Sequence, residues 1–390
     1  MIWIGVAAAI VLIVPNVLFG IRTDHGSSFY SYWLSGRVLF AQGGNPYGDE
    51  LFEQVRSRFP GNPNISGFTL PLYAILPVLP FAFINNFKAA LIMWRLLLEA
   101  ALIFSGLRMI RAFRLQNSLT PAGVCAALLL LNYYSFAALV EGDIAILAVA
   151  FFMIGLAALQ DGEVELCGIM FAFATIKSSL TLLPVVWVCL WCISHRGGGI
   201  IVAWTAMVFA LLFMIALLFR TDWFILYLRS MVYYLKYLNP MNLSNLIERW
   251  QPELGGRIGW AISGVMILLM IIEWVANARK DVNALEWVTA MTISAGFLVG
   301  IPNLGKNLFF LWVPVIYAVD KMQLRWERKG NIYSLILMTG FFLIPWIMQL
   351  FVFKNWQDPV SLMNVFAPFL LTFLLYWNRW WIIDTFVDKY

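Results

Sequence analysis

Charged side chains are scarce in this chain, because Asp, Glu, Lys and Arg make up only 12% of its 390 residues. A typical soluble domain carries about twice that fraction. Hydrophobic residues reach 62% and the mean hydropathy is +0.81, more apolar surface than a soluble fold of this length could bury. We therefore predict that lipid surrounds most of the chain. The 18 Trp and 14 Tyr are typical of proteins with many lipid–water boundaries.

Histidine and cysteine are also scarce, which limits metal and redox chemistry. Two histidines are too few for a histidine-based metal centre, and we predict neither a metal nor a cofactor. The four cysteines, Cys125, Cys167, Cys189 and Cys192, all lie within apolar runs. Cys189 and Cys192 form a C-x-x-C pair without a second pair of ligands nearby, so we interpret them as small buried hydrophobes.

A concentrated basic tract is missing as well. The net charge is +5, but the lysines and arginines are spread along the chain, in short loops between apolar runs. This distribution is typical of positive-inside membrane topology rather than of a nucleic-acid-binding surface. We expect no nucleic-acid partner.

Long apolar runs predict the fold. A membrane-spanning helix needs about 20 apolar residues, because each residue adds about 1.5 Å across a core of about 30 Å. The first run lacks a basic n-region and a convincing cleavage site, so we interpret it as a retained span rather than a signal peptide. The predicted fold class is all-α, a single polytopic membrane domain over residues 1–390 with about twelve transmembrane helices. The predicted spans are 2–20, 88–107, 120–138, 144–160, 165–178, 180–195, 199–219, 257–277, 284–302, 307–320, 331–353 and 360–378.

Lysine and arginine are distributed unequally between the two sets of loops. The positive-inside rule assigns the richer set to the cytoplasm, which makes both termini cytoplasmic and places residues 21–87 outside. The short outer loops hold only Lys177, Lys306 and Lys354. The cytoplasmic set contains Arg108, Arg111, Arg114, Arg196, Arg279, Lys280, Lys321, Arg325, Arg328, Lys329, Arg379 and Lys389.

The apolar run at residues 68–84 is an exception to this scheme. It carries Pro71, Pro77 and Pro80, which remove backbone donors and disfavour a straight helix. We predict that it lies at the outer interface or enters the membrane partway. The alternative is a true span, with reversed polarity for the rest of the chain.

Two outer segments, residues 21–87 and 220–256, are too long to be simple connections. Each contains a stretch whose aromatic and aliphatic residues fall on one side at helical spacing, SFYSYWLSGRVLFAQ in the first and DWFILYLRSMVYYLKYL in the second. Such stretches are typical of helices that rest on a membrane surface. We predict two juxtamembrane helices on the outer leaflet.

Ionisable and polar residues near the outer ends of the spans predict a site. Carboxylates and cations that share an outer cavity suit transfer of a group from an anionic lipid, since a cation can hold a phosphate and a carboxylate can accept a proton. The alternative is that each charge only anchors a helix end at the headgroups. The residues concerned are Asp24, Glu141, Asp143, Lys177, Lys306, Arg257, Asn242 and Ser244.

Arg95 and Glu99 are four residues apart inside a predicted span. A charged pair within the membrane is a functional candidate, but this spacing also lets the two side chains neutralise each other. We interpret them as a mutually satisfied pair.

The order of these elements resembles the membrane glycosyltransferases of the GT-C class, and most closely the polyprenyl-phosphate-mannose-dependent α-mannosyltransferases of glycosyltransferase family 87. The resemblance runs over most of the chain and is strongest in residues 1–180. It departs from the family pattern at Ser28, where an acidic residue is usual, and at Asp143, Ala145 and Asn307. The motifs that carry it are Asp24, the aromatic segment Phe29–Trp33, Gly43–Tyr47, Phe68–Leu72, Glu141–Ala145, Lys177 and Asn242–Ser244.

The resemblance implies an inverting, metal-independent sugar transfer on the outer side of a bacterial inner membrane. The donor would be a polyprenyl-phosphate hexose such as mannose, and the acceptor a lipid-linked sugar or a glycan. Asp24 would be the general base, and Lys177 with Lys306 or Arg257 would hold the departing phosphate. The residues implied in substrate binding are Ser28, Tyr30, Tyr47, Glu141, Asp143, Asn242 and Ser244.

Two other functions stay open at this stage. Twelve spans with both termini inside also suit a secondary transporter or lipid flippase, which would show structural repeats. A structural partner or an inactive relative is the second alternative, and it would be favoured if Asp24 faced no cavity.

Overall fold

The computed structural model describes residues 25–60, 67–112, 131–237, 247–248, 251–300, 305–352 and 361–383. Within these ranges the regular structure is entirely helical, which confirms the predicted all-α class. Short 3₁₀ segments at Leu72–Ile75, Thr175–Lys177 and Gly305–Leu311 interrupt the helices. The α-helices are α1 (Ser27–Ala41), α2 (Asp49–Arg58), α3 (Leu79–Ala82), α4 (Phe87–Ala112), α5 (Tyr133–Glu141), α6 (Ala145–Asp161), α7 (Val164–Ala174), α8 (Ser178–Ile193), α9 (Gly199–Phe219), α10 (Trp223–Tyr237), α11 (Gly255–Asn277), α12 (Val282–Val299), α13 (Trp312–Ile347) and α14 (Ser361–Ile383).

Six stretches among the described residues are long and apolar enough to cross a membrane. The chain is therefore a helical membrane protein. The predicted span 2–20 and most of 120–138 fall outside the described residues, and α6 is apolar but has only 17 residues. The six stretches are α4, the segment Val164–Ile193 that contains α7 and α8, α9, α11, α12 and the segment Lys329–Leu350.

The stretch that contains α7 and α8 reverses direction at the 3₁₀ turn ending in Lys177. A Cβ on Gly168 of α7 would lie 2.7 Å from the carbonyl oxygen of Ile201, and a Cβ on Gly198 would meet the carbonyl oxygen of Cys192 in α8. Gly198 and Ile201 are about one helical turn apart. The start of α7 is therefore close to the end of α8, in agreement with the predicted boundary between 165–178 and 180–195.

Helix α13 also folds back on itself. The Ser334 hydroxyl donates to the carbonyl oxygen of Val319 at 3.4 Å, although a straight helix would separate these residues by about 22 Å. The chain therefore turns between them, in the charged stretch that was predicted to be the loop between spans 307–320 and 331–353.

Helix α6 separates two polar clusters. It begins two residues after Asp143 and contains 17 residues, about 25 Å of helix. Near its other end, Gln160 Nε2 donates to Glu286 Oε1 at 2.5 Å, and Lys321 Nζ lies 3.2 Å from Glu286 Oε2. We call these two ends of the bundle the Asp143 end and the Glu286 end.

The helices differ in how much of their surface the protein covers. Of the most apolar stretch of α12, 78% is buried, compared with 17% for α9, so α12 is a central helix and α9 a peripheral one. Indole N–H groups tie the central helices together, since Trp187 donates to the carbonyl oxygen of Leu285 at 3.3 Å and Trp287 to that of Leu375 at 2.8 Å. Exposed Leu211 and Leu218 on α9 are suited to contact with lipid.

Both stretches predicted to form juxtamembrane helices are helical, as α1 and α10. Helix α10 has the expected two faces, with Trp223 and Tyr227 buried and Ile225 and Val232 exposed. Helix α1 is instead largely packed into the protein over its first two and a half turns.

The prediction that residues 68–84 form no straight span is confirmed. They form only a 3₁₀ turn and the short α3, and most of them are buried.

Candidate functional site

The turn between α5 and α6 carries the central carboxylate of the site. Gly142 ends α5 with φ +62°, a left-handed conformation that favours glycine. Its N–H donates to the carbonyl oxygen of Leu139 at 3.0 Å, and the N–H of Asp143 donates to that of Ala138 at 2.9 Å. A Cβ on Gly142 would lie 2.8 Å from the Cβ of Phe29 in α1, so glycine here also allows α1 to pack closely.

Asp143 binds two lysines at once. Its side chain is 1% exposed, Lys177 Nζ lies 2.6 Å from Oδ1, and Lys306 Nζ lies 2.8 Å from Oδ2. The backbone N–H of Ala145 donates to Oδ1 at 2.9 Å, which ties the carboxylate to the start of α6. Tyr32 of α1 adds a long contact from its hydroxyl to Oδ1 at 3.4 Å. A buried charge needs such partners, and Asp143 has several.

The two lysines come from different breaks in the helices. Lys177 ends the 3₁₀ turn between α7 and α8, and its Nζ also donates to Asn307 Oδ1 at 3.3 Å. Lys306 lies in the 3₁₀ segment before α13, and its Nζ also donates to the Ser28 hydroxyl at 2.5 Å. Asp143, Lys177 and Lys306, which we call the lysine–aspartate cluster, thus join α1, the α5–α6 turn, the α7–α8 turn and the start of α13.

Electrostatics favour the charged forms of Asp143 and Lys306. Burial alone would raise the pKa of Asp143, but the charges of Lys177 and Lys306 and their hydrogen bonds hold it below its usual value. Burial would lower the pKa of Lys306, whereas the charges of Asp143 and Glu141 raise it above its usual value. Lys177 and Lys306 thus share the Asp143 carboxylate, and the Glu141 carboxylate also acts on Lys306.

A second carboxylate lies beside the cluster. Glu141 Oε2 accepts a hydrogen bond from the Ser27 hydroxyl at 2.5 Å, one residue before the serine that contacts Lys306. The first turn of α1 therefore contacts both the carboxylate of Glu141 and the ammonium of Lys306.

Five of the residues predicted for the site come together. Lys177, Lys306 and Asp143 form the cluster, Ser28 contacts Lys306, and Glu141 contacts the neighbouring Ser27. Ser28 and Lys306 are 278 positions apart in sequence, and Asp143 and Lys177 are 34 apart, so the fold brings them together.

Three other predicted residues have different surroundings. The Tyr47 hydroxyl donates to the carbonyl oxygen of Leu70 at 2.8 Å, and Tyr30 packs between the rings of Phe59 and Phe87. Arg257 is exposed in the first turn of α11. None of the three contacts the lysine–aspartate cluster among the residues that the structure describes. Asp24, Asn242 and Ser244 lie outside the described residues.

Tyr32 and Asn307 belong to the site but were not predicted as site residues. Tyr32 lies four residues after Ser28, on the same side of a helix. The helical periodicity of α1 could therefore have identified Tyr32 as a neighbour of the site. Asn307 directly follows Lys306 and was noted only as a departure from the family pattern. In the part of the chain that the structure describes, no three His, Cys, Asp or Glu side chains come together to hold a metal ion.

The geometry defines a helical membrane protein with a buried cluster of two lysines and an aspartate at one end of its bundle. Comparison of the chain with protein-family models, with curated proteins and with solved structures finds no match. The function must therefore be argued from the site.

Proposed function

We propose that this protein is an integral membrane glycosyltransferase. It would move a sugar, a hexose such as mannose, from a polyprenyl-phosphate donor to a lipid-linked or glycan acceptor on the outer side of a bacterial inner membrane. The observation that carries the proposal is the lysine–aspartate cluster, in which two buried ammonium groups share one carboxylate. Two buried lysines that converge on one carboxylate are suited to contact an anionic lipid phosphate.

Lys306 is the better placed of the two lysines to receive the phosphate. Its side chain is 18% exposed, compared with 7% for Lys177. Lys177 donates to both Asp143 and Asn307, so it would act on the phosphate only at longer range. Arg257 is exposed and separate from the cluster, and the proposal assigns it no role.

Asp143 is suited to organise the lysines rather than to act as the base. Burial opposes its charge, but two lysines hold its pKa well below its usual value, and so acidic a group takes protons poorly near neutral pH. The proposed base is Asp24, four residues before the Ser28 that contacts Lys306. Asp24 would accept the proton of the acceptor hydroxyl as its oxygen bonds to the anomeric carbon. The bond from that carbon to the phosphate oxygen would break, and the phosphate would leave with the electron pair, beside Lys306.

The test is transfer by the purified protein in lipid nanodiscs, with a panel of polyprenyl-phosphate sugars and a cell lipid extract. We expect product with the wild type and none with Asp24→Asn. Lys306→Met should raise the donor concentration for half-maximal rate by tenfold or more, because a charge-assisted contact to phosphate is lost. Lys88→Met is the matched control, since Lys88 is an exposed lysine at the first turn of α4.

Two results would count against the proposal. Full activity of Asp24→Asn would remove Asp24 as the base, and an equal effect of Lys88→Met would reduce the role of Lys306 to general surface charge. Absence of transfer with every donor of the panel would favour a different function.

A lipid flippase is the second candidate, and one observation favours it. The buried Lys177 directly precedes the N-terminus of α8, and transporters bind anionic groups at the N-termini of interrupted helices. Movement of a polyprenyl phosphate between the leaflets of proteoliposomes, without any covalent change, would support this function over sugar transfer.

A further inference from the structure

We infer that Trp94 and Arg95 of α4 are positioning residues that fix the turn carrying Asp143. The part that concerns catalysis rests on the proposed function, whereas the part that concerns the turn stands on the contacts alone. We call these two side chains the α4 clamp.

The end of α5 leaves carbonyl groups that its own turn cannot satisfy. A helix C-terminus has four carbonyl oxygens without partners inside the helix. The N–H groups of Gly142 and Asp143 satisfy those of Leu139 and Ala138, which is the usual bonding of a glycine-terminated helix. The carbonyl oxygen of Val140, in the last turn, and that of Gly142, in the left-handed position, still need donors.

The α4 clamp supplies both donors. Arg95 Nη2 donates to the carbonyl oxygen of Val140, and Trp94 Nε1 donates to that of Gly142 at 2.8 Å. Trp94 is 0% and Arg95 1% exposed, so water does not compete for these bonds. An unsatisfied carbonyl in such surroundings is strongly unfavourable, and a cation near a helix C-terminus is also favoured by the helix dipole.

These contacts change the interpretation of Arg95. Its spacing to Glu99 suggested a pair within α4, but its guanidinium reaches across to α5, and both Glu141 and Glu99 act electrostatically on it. Arg95 therefore bonds to the end of α5 in addition to its electrostatic interaction with Glu99 in α4.

The α4 clamp also links the turn to α1. The indole of Trp94 stacks on the ring of Phe29, with 5.6 Å between the ring centroids. Phe29 directly follows Ser28, which contacts Lys306. Trp94 thus contacts both the turn that holds Asp143 and the helix that holds Ser28. If these contacts are lost, we expect the turn to be held less firmly and the Asp143 carboxylate to be positioned less precisely between Lys177 and Lys306.

The test measures the turn directly, by hydrogen–deuterium exchange of the amides of residues 141–146 in the full-length protein in nanodiscs. Exchange there should be at least tenfold faster in Arg95→Gln, less affected in Trp94→Phe, and partly restored in Arg95→Lys, which keeps the charge but loses the planar fork. Arg108→Gln is the matched control, because Arg108 lies near the other end of α4 and pairs with Glu163 at 2.7 Å. It should leave exchange in the turn unchanged.

Binding of polyprenyl phosphate without sugar is measured on the same samples. We expect its dissociation constant to rise in Arg95→Gln and Trp94→Phe in the order of their effects on exchange. Unchanged exchange in both variants would overturn the inference, as would an equal change in Arg108→Gln. Faster exchange with unchanged binding would support the α4 clamp and refute the role of the cluster in holding the donor phosphate. Trp94→Phe keeps the test valid if Arg95→Gln does not fold.

Discussion

At the scale of single residues, Asp143 connects more of the site than any other described side chain. One carboxylate accepts from Lys177, Lys306 and the backbone of Ala145. Removing one partner of a buried ion pair is strongly destabilising, because the charge of the other partner stays buried without compensation. In Asp143→Asn, two buried ammonium groups would be left with no carboxylate between them.

We therefore predict that Asp143→Asn lowers the free energy of unfolding by about 3–5 kcal/mol at neutral pH. The matched control is Asp222→Asn, because Asp222 pairs with Arg220 at 2.7 Å but is 51% exposed. The control should lose about 0–1 kcal/mol. Thermal or denaturant unfolding of the purified proteins in detergent measures both. Equal losses in the two variants would contradict the buried ion-pair account.

The pH dependence of the stability of the wild type follows from the directions in which the pKa values of Asp143 and Lys306 are shifted. Burial opposes the charge of Asp143, yet two lysines lower its pKa, so its contribution is present above the usual carboxyl pKa and is lost only as pH falls through the lowered one. The charges of Asp143 and Glu141 raise the pKa of Lys306 despite burial, so its contribution is lost only as pH rises above the usual lysine range. The stability that Asp143 and Lys306 contribute should thus be constant from about pH 5 to about pH 9, which unfolding of the wild type across this range measures.

The sequence drew attention to the charged residues of the lysine–aspartate cluster but did not predict their contacts. Glu141, Asp143, Lys177 and Lys306 stood out because they are charged residues next to apolar runs. That Asp143 lies between the two lysines depends on where α7 reverses and on the register of the 3₁₀ segment before α13, and local sequence specifies neither. The sequence could not predict the bond from Arg95 to the end of α5, because its partner is a backbone carbonyl of another helix.

At the scale of elements, two helix ends offer a matched comparison. Helices α5 and α6 both end in a left-handed glycine, Gly142 at φ +62° and Gly162 at φ +75°. In each, the glycine N–H and the next N–H bond back to the last turn. The two sites differ in their surroundings, since a Cβ on Gly142 would lie 2.8 Å from Phe29 and one on Gly162 would meet nothing within 4 Å.

We predict that Gly162→Ala costs about 1–2 kcal/mol, the usual penalty for a left-handed alanine. Gly142→Ala should cost about 1–3 kcal/mol more, because α1 must also move away from the turn. Unfolding measurements on both variants test this difference. Equal costs would mean that α1 does not pack against the turn as closely as the structure has it.

Helix positions were predictable where an apolar run is uninterrupted. The predicted span 199–219 coincides with α9, and 257–277 and 284–302 match α11 and α12 within a few residues. The charged stretch around residues 321–330 was predicted to be a loop, but it is helical and still contains the reversal. Charge marks where a chain leaves the membrane, but it does not prevent helix formation.

At the scale of the whole molecule, the two polar clusters lie at opposite ends of the bundle. Lys177 and Lys306 lie at the Asp143 end together with the segment that includes α1 and α2, since Phe59, just after α2, packs on Tyr30 of α1. At the Glu286 end, Trp191 Nε1 donates to the carbonyl oxygen of Lys280 at 2.9 Å. This end also has Arg196, Arg279 and Arg325 close to chain reversals. From the positive-inside rule we predict that the Glu286 end faces the cytoplasm, and the proposed chemistry would then take place outside.

This orientation predicts the result of labelling two exposed serines with a membrane-impermeant maleimide. In a background where the four cysteines are replaced by alanine, Ser57→Cys in α2 should react in intact cells, because it lies at the Asp143 end. Ser194→Cys, just after α8 at the Glu286 end, should react only after the membrane is permeabilised. Both serines are exposed in the structure, so a difference in labelling reports the side of the membrane rather than burial. Reaction of both from the same side would contradict the opposite placement of the two ends, and the reverse pattern would put the lysine–aspartate cluster in the cytoplasm, where a donor on the outer leaflet could not reach it.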